Sequence, residues 1–154
     1  MTGDSRSDHQ LASAEFAQEI LAAEGWLEGR IEAVQHCIRA HRFRDDREQP
    51  ETIEAKVLFD ADKLDAIGAI GAVRAIAYAV LDAQNIFVQP SEQFIRAGEK
   101  EPGEPHTPYH EHLFKLSKLK GRMFTQTGRK YAQARHDYLE SFFTQLHAEL
   151  KADA

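Results

Sequence analysis

Apolar residues recur at every third or fourth position along most of this chain, and no strand-length run alternates with a period of two. Helices packed on helices are what such a pattern allows. Leu11, Ala14, Ile20 and Leu21, with Phe16 and Ala17 beside them, predict a helix over Ser7 to Gly25, opened by a Ser-Asp start and stopped by glycine. Ile31, Val34 and Ile38 predict a second helix over Leu27 to His41. Mixed charge and Pro50 make Arg42 to Glu51 a loop, after which Thr52 can cap a third helix with Ile53, Val57, Ala61 and Leu64 on its apolar stripe. That helix is expected to end near Gly68, at a tight corner of small residues, Gly68-Ala69-Ile70-Gly71.

Ala72 to Leu81 carries little charge and reads as a helix buried on most sides. Ala83 to Pro108 holds four of the prolines together with Gly98 and Gly103, and reads as one long irregular segment of the kind that forms lids. Helices over Tyr109 to Lys120 and Gln126 to Leu150 complete the set. In the last, Tyr131, Ala134, Tyr138, Phe142, Gln145 and Glu149 form an aromatic stripe read as core. The expected fold is an all-α bundle of five to six helices in a single domain.

Charge and cysteine content narrow the function classes. A net charge of -6 argues against a nucleic-acid binder, which needs clustered Lys and Arg to displace counterions from phosphates. A small phosphorylated substrate is still compatible, because it needs only a few positive groups or a metal at the site. No apolar run approaches the ~20 residues of a membrane span. The polar start, with Asp4, Arg6 and Asp8, has no secretory h-region, so a cytoplasmic chain without a membrane partner is expected. Cys37 is alone, which excludes an internal disulfide and cysteine-rich zinc sites and leaves a buried thiol as its reading.

The segment Glu51 to Arg74, ETIEAKVLFDADKLDAIGAIGAVR, sets three acids in one helix. Asp62 and Asp65 lie about 60° apart around the axis and can share a face, whereas Asp60 and Asp62 diverge by about 200°, so all three cannot bind one ion. Asp65 borders the apolar stripe, where a carboxylate needs a cation, a metal or N–H donors. On spacing alone, a solvated acidic face explains the acids as well.

The same segment resembles the bacterial branch of the HD-domain metal-dependent phosphohydrolases that carries ETxEAKxxxDADxLDAxGAIGxxR. The resemblance extends upstream through IEAVQHCIRAHRF and downstream through Lys115, Leu116, Leu119, Met123, Thr127, Gly128, Arg129, Ala132, Arg135 and His136. It implies an all-helical fold and hydrolysis of a phosphoester or pyrophosphate bond, with a nucleotide as the expected substrate. It also implies a divalent ion, manganese, magnesium or similar, held by an early histidine, a His-Asp doublet and a final aspartate corresponding to Asp62. In this correspondence the first three ligands precede the part matching Ser7 to Leu21. The expectation is therefore a truncated HD-type domain over residues 1–154 that lacks its first helices and has an incomplete metal site. His9 falls where some relatives have a histidine just after the doublet.

The resemblance places His41 facing the pocket, in reach of phosphate or a second metal. His36 and His41 stand about 140° apart and do not chelate one ion, so His36 is as well explained by a structural hydrogen bond. Lys63 can pair with a phosphate or lie exposed beside the acids. Arg74 either holds Asp65 or Asp60, the favoured reading, or reaches phosphate. His136-Asp137 is a decoy for the missing doublet. His106, His110 and His112 are badly spaced for chelation and are read as a surface cluster or loop lining. The competing reading from another class is a non-catalytic helical interaction or regulatory module that covers bared apolar faces by forming a homodimer.

Overall fold

The computed structural model describes residues 9–42 and 47–151. Its elements are α1 His9–Ala23, α2 Glu28–Ala40, α3 Ile53–Asp65, α4 Gly68–Leu81, α5 Glu92–Ala97, α6 Pro108–Phe114, a 3-10 helix Leu116–Arg122 and α7 Gln126–Leu150. The described residues contain no strand, and the fold is all-α. The chain divides into two compact units, residues 1–62 and 63–154, with the division inside α3. No single helix among the described residues is long and apolar enough to cross a membrane.

In the first unit α1 packs on α2. Gly25 takes a φ of +76°, and this left-handed residue lets the amides of Gly25 and Trp26 turn back to the carbonyls of Ala22 and Leu21. That pair of bonds is a Schellman stop, which satisfies carbonyls that the end of α1 would otherwise leave open. Gln35 ties the two helices from the middle, donating through Nε2 to the Ala14 carbonyl and to Gln18 Oε1, both at 3.1 Å. Thr52 caps α3 as expected, its hydroxyl accepting from the Ala55 amide.

The face that α3 buries differs from the expected one. Ala55, Phe59, Asp60 and Lys63 are buried, whereas Ile53 and Val57 are exposed. Phe59 is the largest apolar side chain of this helix, and turning it inward rotates the β-branched stripe out to solvent.

In the second unit α4 packs on α7. It starts at Gly68, four residues earlier than expected. The corner is as tight as its small residues suggested: a Cβ on Gly71 would sit 2.3 Å from the Ala66 carbonyl oxygen. At Gly68, φ is +76° and a Cβ would meet the Arg135 side chain at 3.0 Å. Neither position accepts a larger residue without movement. α4 is not buried on most sides, since Ile70, Val73, Tyr78, Val80 and Leu81 are exposed.

The segment read as irregular contains α5, capped by the Ser91 hydroxyl on the Phe94 amide and stopped by left-handed Gly98. The helix expected over Tyr109 to Lys120 is broken at Lys115 (φ -127°, ψ -56°) into α6 and the 3-10 helix. In α7 the buried line is Gly128, Ala132, Leu139 and Phe143. The aromatic stripe read as core lies on the outside, Tyr138 being 51% exposed and Tyr131 55%. Gly128 and Ala132 allow close approach on one side of the helix, and that side goes inward at the expense of the tyrosines.

Candidate functional site

α3 carries the residues on which any phosphohydrolase reading depends. The three acids separate by burial: Asp60 is enclosed at 3% exposure, while Asp62 and Asp65 are exposed. Lys63 is buried at 4%, in place of the exposed lysine that the bland reading expected. An ammonium is placed there only with compensation, because leaving water costs it several kcal/mol.

In the first unit, His36 is committed on both ring nitrogens. Nε2 accepts the Glu51 main-chain N–H at 3.1 Å, which sets the tautomer, and Nδ1 then donates to Glu48 Oε1 at 2.7 Å. Arg39 completes this cluster, reaching Glu48 Oε2 at 2.7 Å and Glu32 Oε1 at 2.6 Å. Its guanidinium holds the Glu48 carboxyl below the usual carboxylate range, with His36 adding to the effect. The cluster fastens the residues just before α3 to α2. His41 caps the C-terminus of α2, with Nδ1 on the Ile38 carbonyl and its ring edge-on to His9, 5.8 Å between centroids.

In the second unit, Arg74 donates from Nη1 to the Asp65 carboxylate and, at 3.2 Å, to the Asp65 main-chain carbonyl. It thereby joins the end of α3 to α4. A cleft of about 310 Å³ opens along α4 and α7, lined by Ile67, Gly68, Ala69, Ile70, Ala134, Arg135 and Tyr138. It holds no carboxylate or imidazole, and its one cation, Arg135, donates to the Leu64 carbonyl.

The histidines read as a surface cluster or loop lining are not at the surface: His110 is 0% exposed and His112 is 3%. His110 donates from Nε2 to Glu104 Oε1 at 3.0 Å and accepts at Nδ1 from the Thr107 hydroxyl at 2.7 Å. Glu104 also accepts from the main-chain N–H groups of Ser91 and Glu101 and from the Ser91 hydroxyl. These donors, the Ser91 amide foremost, bring the Glu104 carboxyl down to about 2. The network pins the two ends of the segment containing α5, and Glu104 is its centre. Sequence reasoning missed Glu104 because its partners lie 3 to 13 residues away in an irregular stretch with no periodicity. His136 and Asp137 do not work together: Asp137 accepts from Gln133, and the nearest carboxylate to His136 is Glu140, at 3.8 Å.

Among the described residues, no three His, Cys, Asp or Glu side chains gather so as to hold a metal ion. The described residues therefore do not fit a complete divalent-ion site by themselves.

Residues 2–67 match the HD domain family, a span that includes Asp62 and excludes His136-Asp137. The uncharacterized protein YpgQ of Bacillus subtilis is 32% identical over 120 residues, 76% of this chain. Over residues 2–67 the chain is thus similar to the HD domain. Crystal structures of related proteins share this fold. That of Bacillus subtilis YpgQ superposes with a TM-score of 0.69 at 28% identity, over 92% of this chain and 66% of that one. YpgQ in complex with ADP gives 0.68 at the same identity and coverage. An HD-superfamily hydrolase from Bacillus thuringiensis gives 0.63 at 28% identity, over 92% of this chain and 64% of that one. The chain thus spans about half the length of its curated relative, 51%, and just under two thirds of these structures.

Proposed function

We propose that this chain is part of a metal-dependent phosphohydrolase that acts on a nucleotide or another phosphoester or pyrophosphate. The observation that carries the reading is the related YpgQ structure, which is a complex with ADP. HD-superfamily hydrolases use divalent ions, and a carboxylate ligand is the role of Asp62 in this proposal, by its correspondence with the family's last ligand. Such an ion, manganese, magnesium or similar, would activate water and screen phosphate charge when bound. By the same correspondence the other ligands would be an early histidine and a His-Asp doublet, which the described residues do not bring together.

His41 and Lys63 are proposed to neutralise phosphate oxygens. His36 supports His41 indirectly, by fixing α2 to the start of α3. Asp65 and Arg74 line the site and hold the turn into α4, with Arg74 the positioning residue of the pair. A cytoplasmic location fits such a substrate.

The test is phosphate or pyrophosphate release from a set of nucleotides, with manganese or magnesium supplied, by a chain extended N-terminally to the length of its relatives. Release that disappears in Asp62→Asn is expected. Absence of release from every nucleotide would count against the proposal. A second reading, a self-associating interaction module, is favoured by the exposed apolar side chains of α4 and α7, among them Leu81 at 80%. Sedimentation of this chain as a dimer at micromolar concentration, with no nucleotide hydrolysis by the extended one, is its expected signature.

A further inference from the structure

Three buried polar atoms without a hydrogen bond belong to one cluster where α6 meets α7: His112 Nδ1, His136 Nδ1 and Glu140 Oε1. His112 Nε2 comes to 3.5 Å from Glu140 Oε1, and His136 Nδ1 comes to 3.8 Å from the same oxygen. Both separations are too long for a good hydrogen bond. The His112 ring lies on Phe143, 4.4 Å between centroids and 19° between planes, and stacks with Tyr109 at 6.2 Å.

Other charges near α6 are engaged elsewhere. Arg74, the one charged residue of α4, is on Asp65; Lys115 is on Glu111; Lys118 of the 3-10 helix lies over Phe114. Glu140 and His136 are the groups whose charge reaches His112, and burial, more than either, holds its pKa below the ordinary imidazole value.

Two imidazoles facing one carboxylate oxygen have a simple proton arithmetic. One added proton turns the cluster into a charge-assisted pair, whose attraction exceeds that of a neutral contact. Two added protons leave two cations on one anion, and one of them must sit on a ring closed to water. We propose that His112, Glu140 and His136 form a one-proton latch, which a single proton tightens and a second, taken up in acid, opens by releasing α6 from α7. The sign follows from the depressed His112: the released state binds more protons than the latched one, so opening grows as pH falls below the ordinary imidazole range.

The experiment follows the histidine Cε1–H resonances of this chain from pH 8 to pH 4, alongside Glu140→Gln and His136→Gln. His112 is expected to titrate below the ordinary value in the parent, lower still in Glu140→Gln, and higher in His136→Gln. Protection of the α6 amides, corrected for intrinsic exchange, is expected to fall by up to about tenfold per pH unit below about 6.5. That fall should vanish in His112→Phe, which keeps a ring on Phe143. A His112 titration that neither substitution moves overturns the latch, and so does α6 protection that stays constant across this range. The resonance titrations decide the matter even if His112→Phe does not fold.

Discussion

Arg74 binds Asp65 twice, once at the carboxylate and once at the main-chain carbonyl, so a single guanidinium closes the end of α3 onto the first turns of α4. Both side chains are exposed, 44% and 58%. An exposed pair contributes little Coulomb energy, because water screens it. A double-mutant cycle with Arg74→Ala and Asp65→Ala, read by urea unfolding, is therefore expected to give a coupling below about 1 kcal/mol, reduced further by salt. A larger, salt-insensitive coupling would mean that the pair is structurally essential.

Gly71 has no room for a side chain, the Ala66 carbonyl oxygen lying 2.3 Å from where its Cβ would be. Gly71→Ala should cost about 1–3 kcal/mol, the range of an overpacked site. Gly121, with nothing within 4 Å of its own Cβ position, is the control. Urea midpoints that fall equally for both variants would remove the corner's special status.

Glu104 and Glu111 both have carboxyls held near 2, the first chiefly by the Ser91 amide and the second chiefly by His106. A carboxyl depressed in the folded state stabilises it fully above the unfolded value near 4.5 and loses that contribution as pH falls toward 2. Acid unfolding should steepen in this window and flatten in Glu104→Gln, measured by circular dichroism between pH 5 and pH 2. An unchanged acid limb would show that the network contributes nothing to stability.

His36→Phe keeps the ring but deletes the acceptor for the Glu51 amide and the donor to Glu48. The Glu48 contact is partly buried and the Glu51 one exposed to water, so the loss is expected at about 1 kcal/mol. The loss should appear as faster exchange of the Glu51 amide, with α1 unaffected. Equal exchange in both places would mean that His36 does not anchor the start of α3.

The helical class was legible in the sequence because the spacing of apolar residues is a local property, and so were the stop at Gly25, the cap at Thr52 and the tight corner beginning at Gly68. The acids of the DADKLD run and the small-residue corner also resembled a family, and the HD match over residues 2–67 takes in those acids but ends before the corner. α5 left local marks too, in Ser91 and Gly98, but the prolines around it masked them.

Burial was decided elsewhere. Whether α7 hides Tyr138 or Leu139, and whether α3 hides Val57 or Phe59, turns on which side chains fit neighbours far away in the chain, and hydrophobic spacing offers both faces as candidates. The same holds for His110 and His112, polar residues that the chain itself marks for the surface. Thr107 is the cap of His110's own helix, but only the folded chain brings Glu104 back onto His110 and Glu140 near His112, and charge and hydrogen bonds from such partners make burial of an imidazole tolerable.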